Sequence, residues 1–328
     1  MDALGPVKAF DRLQRRHTSL ALPYAVIKKF GDDQGGNLSA VIAYYAFFSL
    51  FPLLMVFVAI LGFVLEGNPT VQQDVIDSTL SQIPLVGDQI KAGTLTGSGV
   101  ALAVGLVGAI LSGLGVTLAA QAAFNRVHGV PHRERPNFLT SRLRGLLMLL
   151  VLGLLQIVST GISGLVSGGG VSGVGLVLAG VAASLAANVV LFGAAFRLLT
   201  DRSVRTAELW PGIAASTLLW TLVQAVGGAY IGHVVKGAGT TYGTFATVIG
   251  LLTWLFLGAR IVVYAAELNS VLALRLYPRG IMDPLEPADR RALTALAKME
   301  EHRDEQHIVV TFGDEAKAPQ GGDGTRSS

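Results

Sequence analysis

The chain has 328 residues, of which 51% are hydrophobic and only 14% charged, with a formal net charge of +3. Soluble domains carry about 25% charged residues, so this composition does not fit a water-soluble enzyme or carrier, and a mean hydropathy of +0.55 describes a polypeptide dissolved in a bilayer. No cysteine is present, which removes disulfides, thiolate metal sites and cysteine nucleophiles.

Residues 1–40 are polar and mixed in charge, without the short apolar core and small-residue cleavage site of a signal peptide. The first span is therefore expected to direct insertion. Within 5–30, Val7, Phe10, Leu13, Leu20, Tyr24, Ile27 and Phe30 recur at helical spacing with basic residues between them. That pattern predicts helices lying on the inner membrane surface.

Six apolar segments follow, at about 41–65, 100–123, 145–166, 174–196, 209–231 and 245–274. Each is long enough to cross a hydrocarbon core of about 30 Å as a helix. An unbroken apolar run satisfies its backbone in lipid only as a helix. The expected fold is all-α, a polytopic six-helix transmembrane bundle. Residues 66–99 are expected to form an outer amphipathic loop, and 275–328 a tail that is helical over 288–306 and disordered near its end.

Alternate connections hold 22 of the 25 Lys and Arg residues, while the three loops between them hold only Lys91 and Lys236 and Arg260 lies within the sixth segment. By the positive-inside rule both termini are cytoplasmic. The same asymmetry accounts for a pI near 9.2, so no nucleic-acid partner is expected. Small residues at every fourth position line segment 2 (Ala101, Gly105, Ala109, Gly113, Thr117) and segment 4 (Gly175, Ala179, Ala183, Ala187). Such stripes let helices approach closely.

Chemistry-bearing residues are few. There is no phosphate-binding GxxxxGK[ST] loop and no HExxH pair. His128 and His132 are four apart, but Pro131 between them argues against one helix presenting both to an ion. No metal, cofactor or catalytic residue is expected. Polar residues at depth are more informative. Arg260 and Glu267 lie seven apart, nearly on one helix face and about 10 Å apart along the axis. A charge at a helix centre costs about 2.5–3.5 kcal/mol on insertion scales. Two readings are open: both snorkel to the inner interface, or their face, with Asn269, looks into the bundle. Segment 1 contributes Tyr44, Tyr45, Ser49 and Pro52, and Pro52 removes a helix hydrogen bond. Broken or kinked spans are where transporters build sites. Gln121, Asn125, Gln156, Asn188 and Gln224 are expected to bond between helices.

Several stretches together resemble the YihY/BrkB family, also labelled ribonuclease BN-like. They are FGDDQGGNLSAVIAYYAFFSLFPLLM, AAFNRVHGV with RLRGLLMLL, PGIAASTLLW, and YGTFATVIGLLTWLFLGARIVVYAAELNSVLA. Tyr44, Tyr45, Ser49 and Pro52 fall on the family's first-span motif, Asn125 on its Asn after span 2, and Glu267 and Asn269 on its Glu-Leu-Asn element. Arg260 has no counterpart, since the family usually has a small or apolar residue there. The resemblance implies a six-span bacterial cytoplasmic-membrane protein linked to the envelope, and the ribonuclease label is regarded as a misassignment. The expected activity is transport or flipping of a lipid or small envelope solute without ATP hydrolysis, through a cavity lined by Tyr44, Tyr45, Ser49, Pro52, Asn125, Arg260, Glu267 and Asn269. The competing expectation is a non-transporting membrane scaffold. Membrane lipids are the expected partners, and oligomeric state is not specified by any residue pattern.

Overall fold

The computed structural model describes residues 5–64, 99–168, 174–237 and 243–313. All regular structure among them is helical: α1 (Gly5–Arg16), α2 (Thr18–Asp32), α3 (Gly35–Val64), α4 (Gly99–Val127), α5 (Phe138–Gly168), α6 (Val174–Leu199), α7 (Thr206–Gly237), α8 (Gly243–Ala273) and α9 (Pro287–Lys298), with a short 3-10 turn at His132–Glu134. The expected outer loop at 66–99 and the end of the tail lie outside the described residues.

The long helices begin earlier than their apolar runs. α3 starts at Gly35 and α5 at Phe138, because polar first turns are stable where the chain enters from water and Asn137 accepts the Thr140 amide. Five helices are long and apolar enough to cross a membrane by length and composition. The sixth expected span corresponds to α7. That helix has 32 residues, but Glu208, Pro211, Ser216, Thr217 and Gln224 dilute its described half.

α3 to α8 pack in sequence order, and α8 returns to α3, so the six helices close a ring. Pro52 does not end α3, which stays helical to Val64. A Cβ on Gly108 of α4 would lie 3.0 Å from the Pro52 ring, and one on Gly105 would lie 3.1 Å from Val56. The stripe of α4 is shared between two neighbours: Gly105 faces α3, whereas a Cβ on Gly113 would lie 3.0 Å from Leu149 of α5.

Burial is uneven along the ring. The main cluster, with Phe124, Phe192, Phe196, Leu209, Ile213 and Val263, sits at the end that carries the short connections 128–137 and 200–205. Phe124 and Phe196 stack there at 4.9 Å. Toward the far end, Ala182 to Ala186 of α6 contain no buried residue, and neither do Leu218 to Gln224 of α7. Each run exceeds one 3.6-residue turn. Contacts over that length are partial: Trp220 lies 6.0 Å from the Trp254 ring and against Gly258, without being fully buried.

α1, α2, residues 275–286 and α9 cover the packed end. α1 buries Asp11 and Gln14 rather than its apolar residues. Gln14 donates to the Arg279 carbonyl at 2.6 Å, and Asp11 accepts the Ile281 amide at 3.0 Å. Val7, Phe10 and Leu13 stay exposed. Arg279 is 2% exposed and pairs with Asp289 at 2.5 Å and Asp32 at 2.9 Å. Lys28 also reaches Asp289, at 2.9 Å. The tail helix is shorter than the expected 288–306: α9 ends at Lys298. Beyond it the backbone pairs with the 132–133 turn, His132 N to Met299 O at 3.2 Å and Arg133 N to Glu301 O at 3.0 Å. Those bonds would be lost if the helix continued.

Candidate functional site: a buried charge cluster under the cap

α2 runs onto the packed end of the ring and places Lys29 against α8. Lys29 Nζ lies 3.0 Å from Glu267 Oε2, donates to the Val127 carbonyl at 2.7 Å, and pairs with Asp33 one turn along its own chain. Glu267 has no exposed surface, and Lys29 and Asp33 are 6% and 3% exposed. Amphipathic spacing explains the placement: Ala21, Ala25 and Lys29 share one face, and Ala25 packs with Val271 and Leu276. A Lys–Glu pair at 3 Å attracts by about 5 kcal/mol at an effective dielectric near 20. Desolvation offsets much of that, so the cluster needs its full set of partners to persist.

Two carboxylates face this ammonium. Burial by itself would lower the Lys29 pKa, but Glu267 and Asp33 outweigh it and hold it above the ordinary 10.5. Burial pushes the Asp33 carboxyl up, against the pull of Lys29 and Arg126. Glu267 Oε1 has no hydrogen-bond partner among the described residues. A narrow cavity of about 20 Å³ lies beside Lys29 and Asp33, walled by Arg126, Leu276, Leu296 and Met299. That is room for one water, which needs about 10–15 Å³.

The last residues of α4 extend the network. Asn125 Oδ1 accepts the Asp201 amide at 2.9 Å, and Asp201 pairs with Arg144 of α5 at 3.4 Å. Arg126 donates from Nε to the Asp33 carbonyl at 3.0 Å. Asn269 Oδ1 accepts the Gly212 amide at 2.5 Å. One amide near a helix start thus fixes α7 against α8. Gly212 also lies so close that a Cβ would come 2.5 Å from the Ala265 carbonyl.

Asn125, Glu267 and Asn269 therefore belong to one polar layer. The first-span residues stand apart from it. Tyr44 and Tyr45 are exposed, with rings 5.5 Å apart edge to face. Tyr45 leans on Gly115, where a Cβ would come 2.6 Å from its ring. Ser49 is buried and returns its hydroxyl to the Ala46 carbonyl at 2.7 Å. Pro52 packs on α4. None of these hydrogen-bonds to Glu267 or Lys29. Arg260 is half-buried with its guanidinium 5.5 Å from the ring centres of Phe30 and Phe256 and 5.8 Å from Tyr264. It does not reach Glu267. Gln121 donates to Ser141 O at 2.9 Å, Asn188 comes within 3.5 Å of the Thr221 hydroxyl, and Gln224 is exposed. The Gln156 side chain lies outside the described residues.

Sequence reasoning missed Lys29 and Asp33. Lys29 counts equally well as one more topology cation, and only its i, i+4 relation to Asp33 at the end of an apolar helix face hints otherwise. The histidine pair also differs. His128 turns back to the Phe124 carbonyl at 2.8 Å, with Nε2 covered, and burial lowers its pKa to about 4. His132 instead stacks on His302 at 4.3 Å. With Glu300 these two bring ligand-type atoms within 4.8 Å of one another. The Arg135 guanidinium stands 3.2 Å from His132 Nε2, where a metal ion would have to bind.

An all-helical chain with several bilayer-length apolar helices and its ionisable groups gathered at one end is a polytopic membrane protein. The chain belongs to the Virulence factor BrkB family, whose family model matches residues 26–289. It is 27% identical over 291 residues to Inner membrane protein YhjD of Escherichia coli (strain K12), covering 82% of this chain and 86% of that one. It is also 27% identical over 266 residues to Uncharacterized protein Dda3937_02003 of Dickeya dadantii (strain 3937), covering 73% and 79%. No solved structure matches.

Proposed function

We propose that the protein is a six-span transporter or flippase-like protein of the bacterial inner membrane, with both termini cytoplasmic, acting on a lipid or small envelope solute. It is not an enzyme, needs no ATP hydrolysis and uses no cofactor. The observation that carries this reading is the contrast between the two ends of the ring. The capped end is sealed by aromatic packing and the Lys29–Asp33–Glu267 cluster, while residues 182–186 of α6 and 218–224 of α7 are at most partly buried. A bundle closed on one side by a few strong, breakable contacts and loose on the other is suited to alternating access. Support for the location comes from the distribution of Lys and Arg and from the relative named an inner membrane protein.

Profiling of envelope lipids and metabolites tests this in a deletion strain complemented with wild type, Glu267→Gln or Tyr44→Phe. The expected result is a lipid or solute change in the deletion that wild type reverses and Glu267→Gln does not, with equal membrane levels of both proteins. Because Tyr44 is exposed and apart from the cluster, Tyr44→Phe should restore the profile. An unchanged profile in the deletion strain under envelope stress would favour the scaffold reading. The specific observation behind that second reading is the folded cap, whose exposed α9 face offers a docking surface on the cytoplasmic side.

A further inference from the structure

Arg260 lies at the midpoint of the Val248–Ala273 span, one helical stretch of about 10 Å outward from Glu267. Most other partly or fully buried basic residues of the packed end have acidic or carbonyl partners, among them Lys28 and Arg279 with Asp289, Lys29 with Glu267, Arg144 with Asp201, and Arg126 with the Asp33 carbonyl; Arg142 lies over the Phe138 ring, and Arg197 leaves Nη1 without a partner among the described residues. Among the described residues, no carboxylate or carbonyl pairs with Arg260. What surrounds it is aromatic. Phe30 and Tyr264 stack on each other at 3.9 Å, and with Phe256 they lie around the guanidinium. Ring faces orient a guanidinium but carry no net charge to neutralise it. The residue is also partly exposed, so part of its donor set is open to whatever fills the membrane beside α2 and α8.

We propose that Arg260, steadied by Phe30, Phe256 and Tyr264, binds the phosphate of an anionic phospholipid. The planar guanidinium offers two parallel donors that match two phosphate oxygens. The aromatic surroundings suit a ligand with glycerol and acyl groups beside its phosphate, rather than a hydrated free ion. The absence of a carboxylate beside Arg260 favours a ligand with net negative charge, since the cation of a zwitterionic headgroup has no acid to meet there. This names a headgroup class for the transport reading, yet it concerns binding alone: a lipid bound at Arg260 but never moved would sustain this inference and refute transport.

The test uses the full chain in nanodiscs of phosphatidylcholine, alone or mixed with phosphatidylglycerol, with retained lipid measured by native mass spectrometry after gentle extraction. Thermal unfolding in mixed micelles with added phosphatidylglycerol or inorganic phosphate runs in parallel. Phosphatidylglycerol should be retained and should raise the unfolding temperature of wild type. Arg260→Gln should weaken that effect about tenfold, a change equal to about 1.4 kcal/mol, and Arg260→Lys should fall between, because it keeps the charge and loses the fork. Equal phosphatidylglycerol binding by wild type and Arg260→Gln would overturn the inference, as would retention without headgroup preference. Stabilisation by inorganic phosphate matching that of phosphatidylglycerol would overturn the lipid source. Since removal of a charge from mid-span does not hinder insertion, Arg260→Gln remains a usable variant.

Discussion

Lys29→Met removes the ammonium and keeps much of the side-chain stem. Asp33 and Glu267 would then remain together in a buried site, and the Val127 carbonyl would lose its donor. Breaking a buried ion pair from one side costs about 3–5 kcal/mol, and these groups are 6% exposed or less, so the upper part of that range applies. Glu267→Gln is milder, because Lys29 keeps Asp33 and the carbonyl; a lost hydrogen bond to a charged group predicts about 1.5–3 kcal/mol. In the double variant no ammonium remains for Glu267 to leave unpaired, so its cost should fall below the sum of the single costs by about 1–3 kcal/mol. Reversible unfolding in mixed micelles, followed by tryptophan fluorescence, measures all four proteins. Costs that add within about 0.5 kcal/mol would mean that Lys29 and Glu267 do not act as a pair, and the seal assigned to them would have no energetic basis.

Two further outcomes are expected. The His128 pKa is lowered from 6.5 to about 4 by burial, so the unfolded chain takes up this proton first as pH falls; stability should drop between about pH 6.5 and 4, by up to about 3 kcal/mol, and His128→Gln should flatten that part of the pH–stability curve. A slope unchanged in the variant would assign the loss to other groups. Gly212→Ala should destabilise by about 1–3 kcal/mol, since its Cβ meets a backbone carbonyl, whereas Gly193→Ala, with nothing within 4 Å, should be neutral or slightly stabilising; thermal unfolding of the two variants side by side tests whether the α7–α8 contact is as close as described.

Much of the architecture is legible without coordinates, because the bilayer imposes a simple rule. Backbone groups in hydrocarbon must bond within their own segment, so each long apolar run is a helix wherever it sits in the fold. The α4 stripe of Gly105 and Gly113 likewise announces a close helix contact, since small side chains serve that purpose locally. The candidate site is a different matter. Glu267 and Asn269 stand out as polar residues in an apolar run, but they lie two apart and face different neighbours, α2 and the start of α7. Lys29 is 238 positions from Glu267 in the chain, and no periodicity connects them. Only tertiary packing decides that α2 folds back along α8 and that Lys29, rather than its neighbour Lys28 with Asp32 four residues on, is driven into the core. It also decides that Tyr44 stays exposed while Tyr45 leans on Gly115 of α4: helical spacing orders residues around one axis, but the neighbouring helices determine which side of that axis is covered.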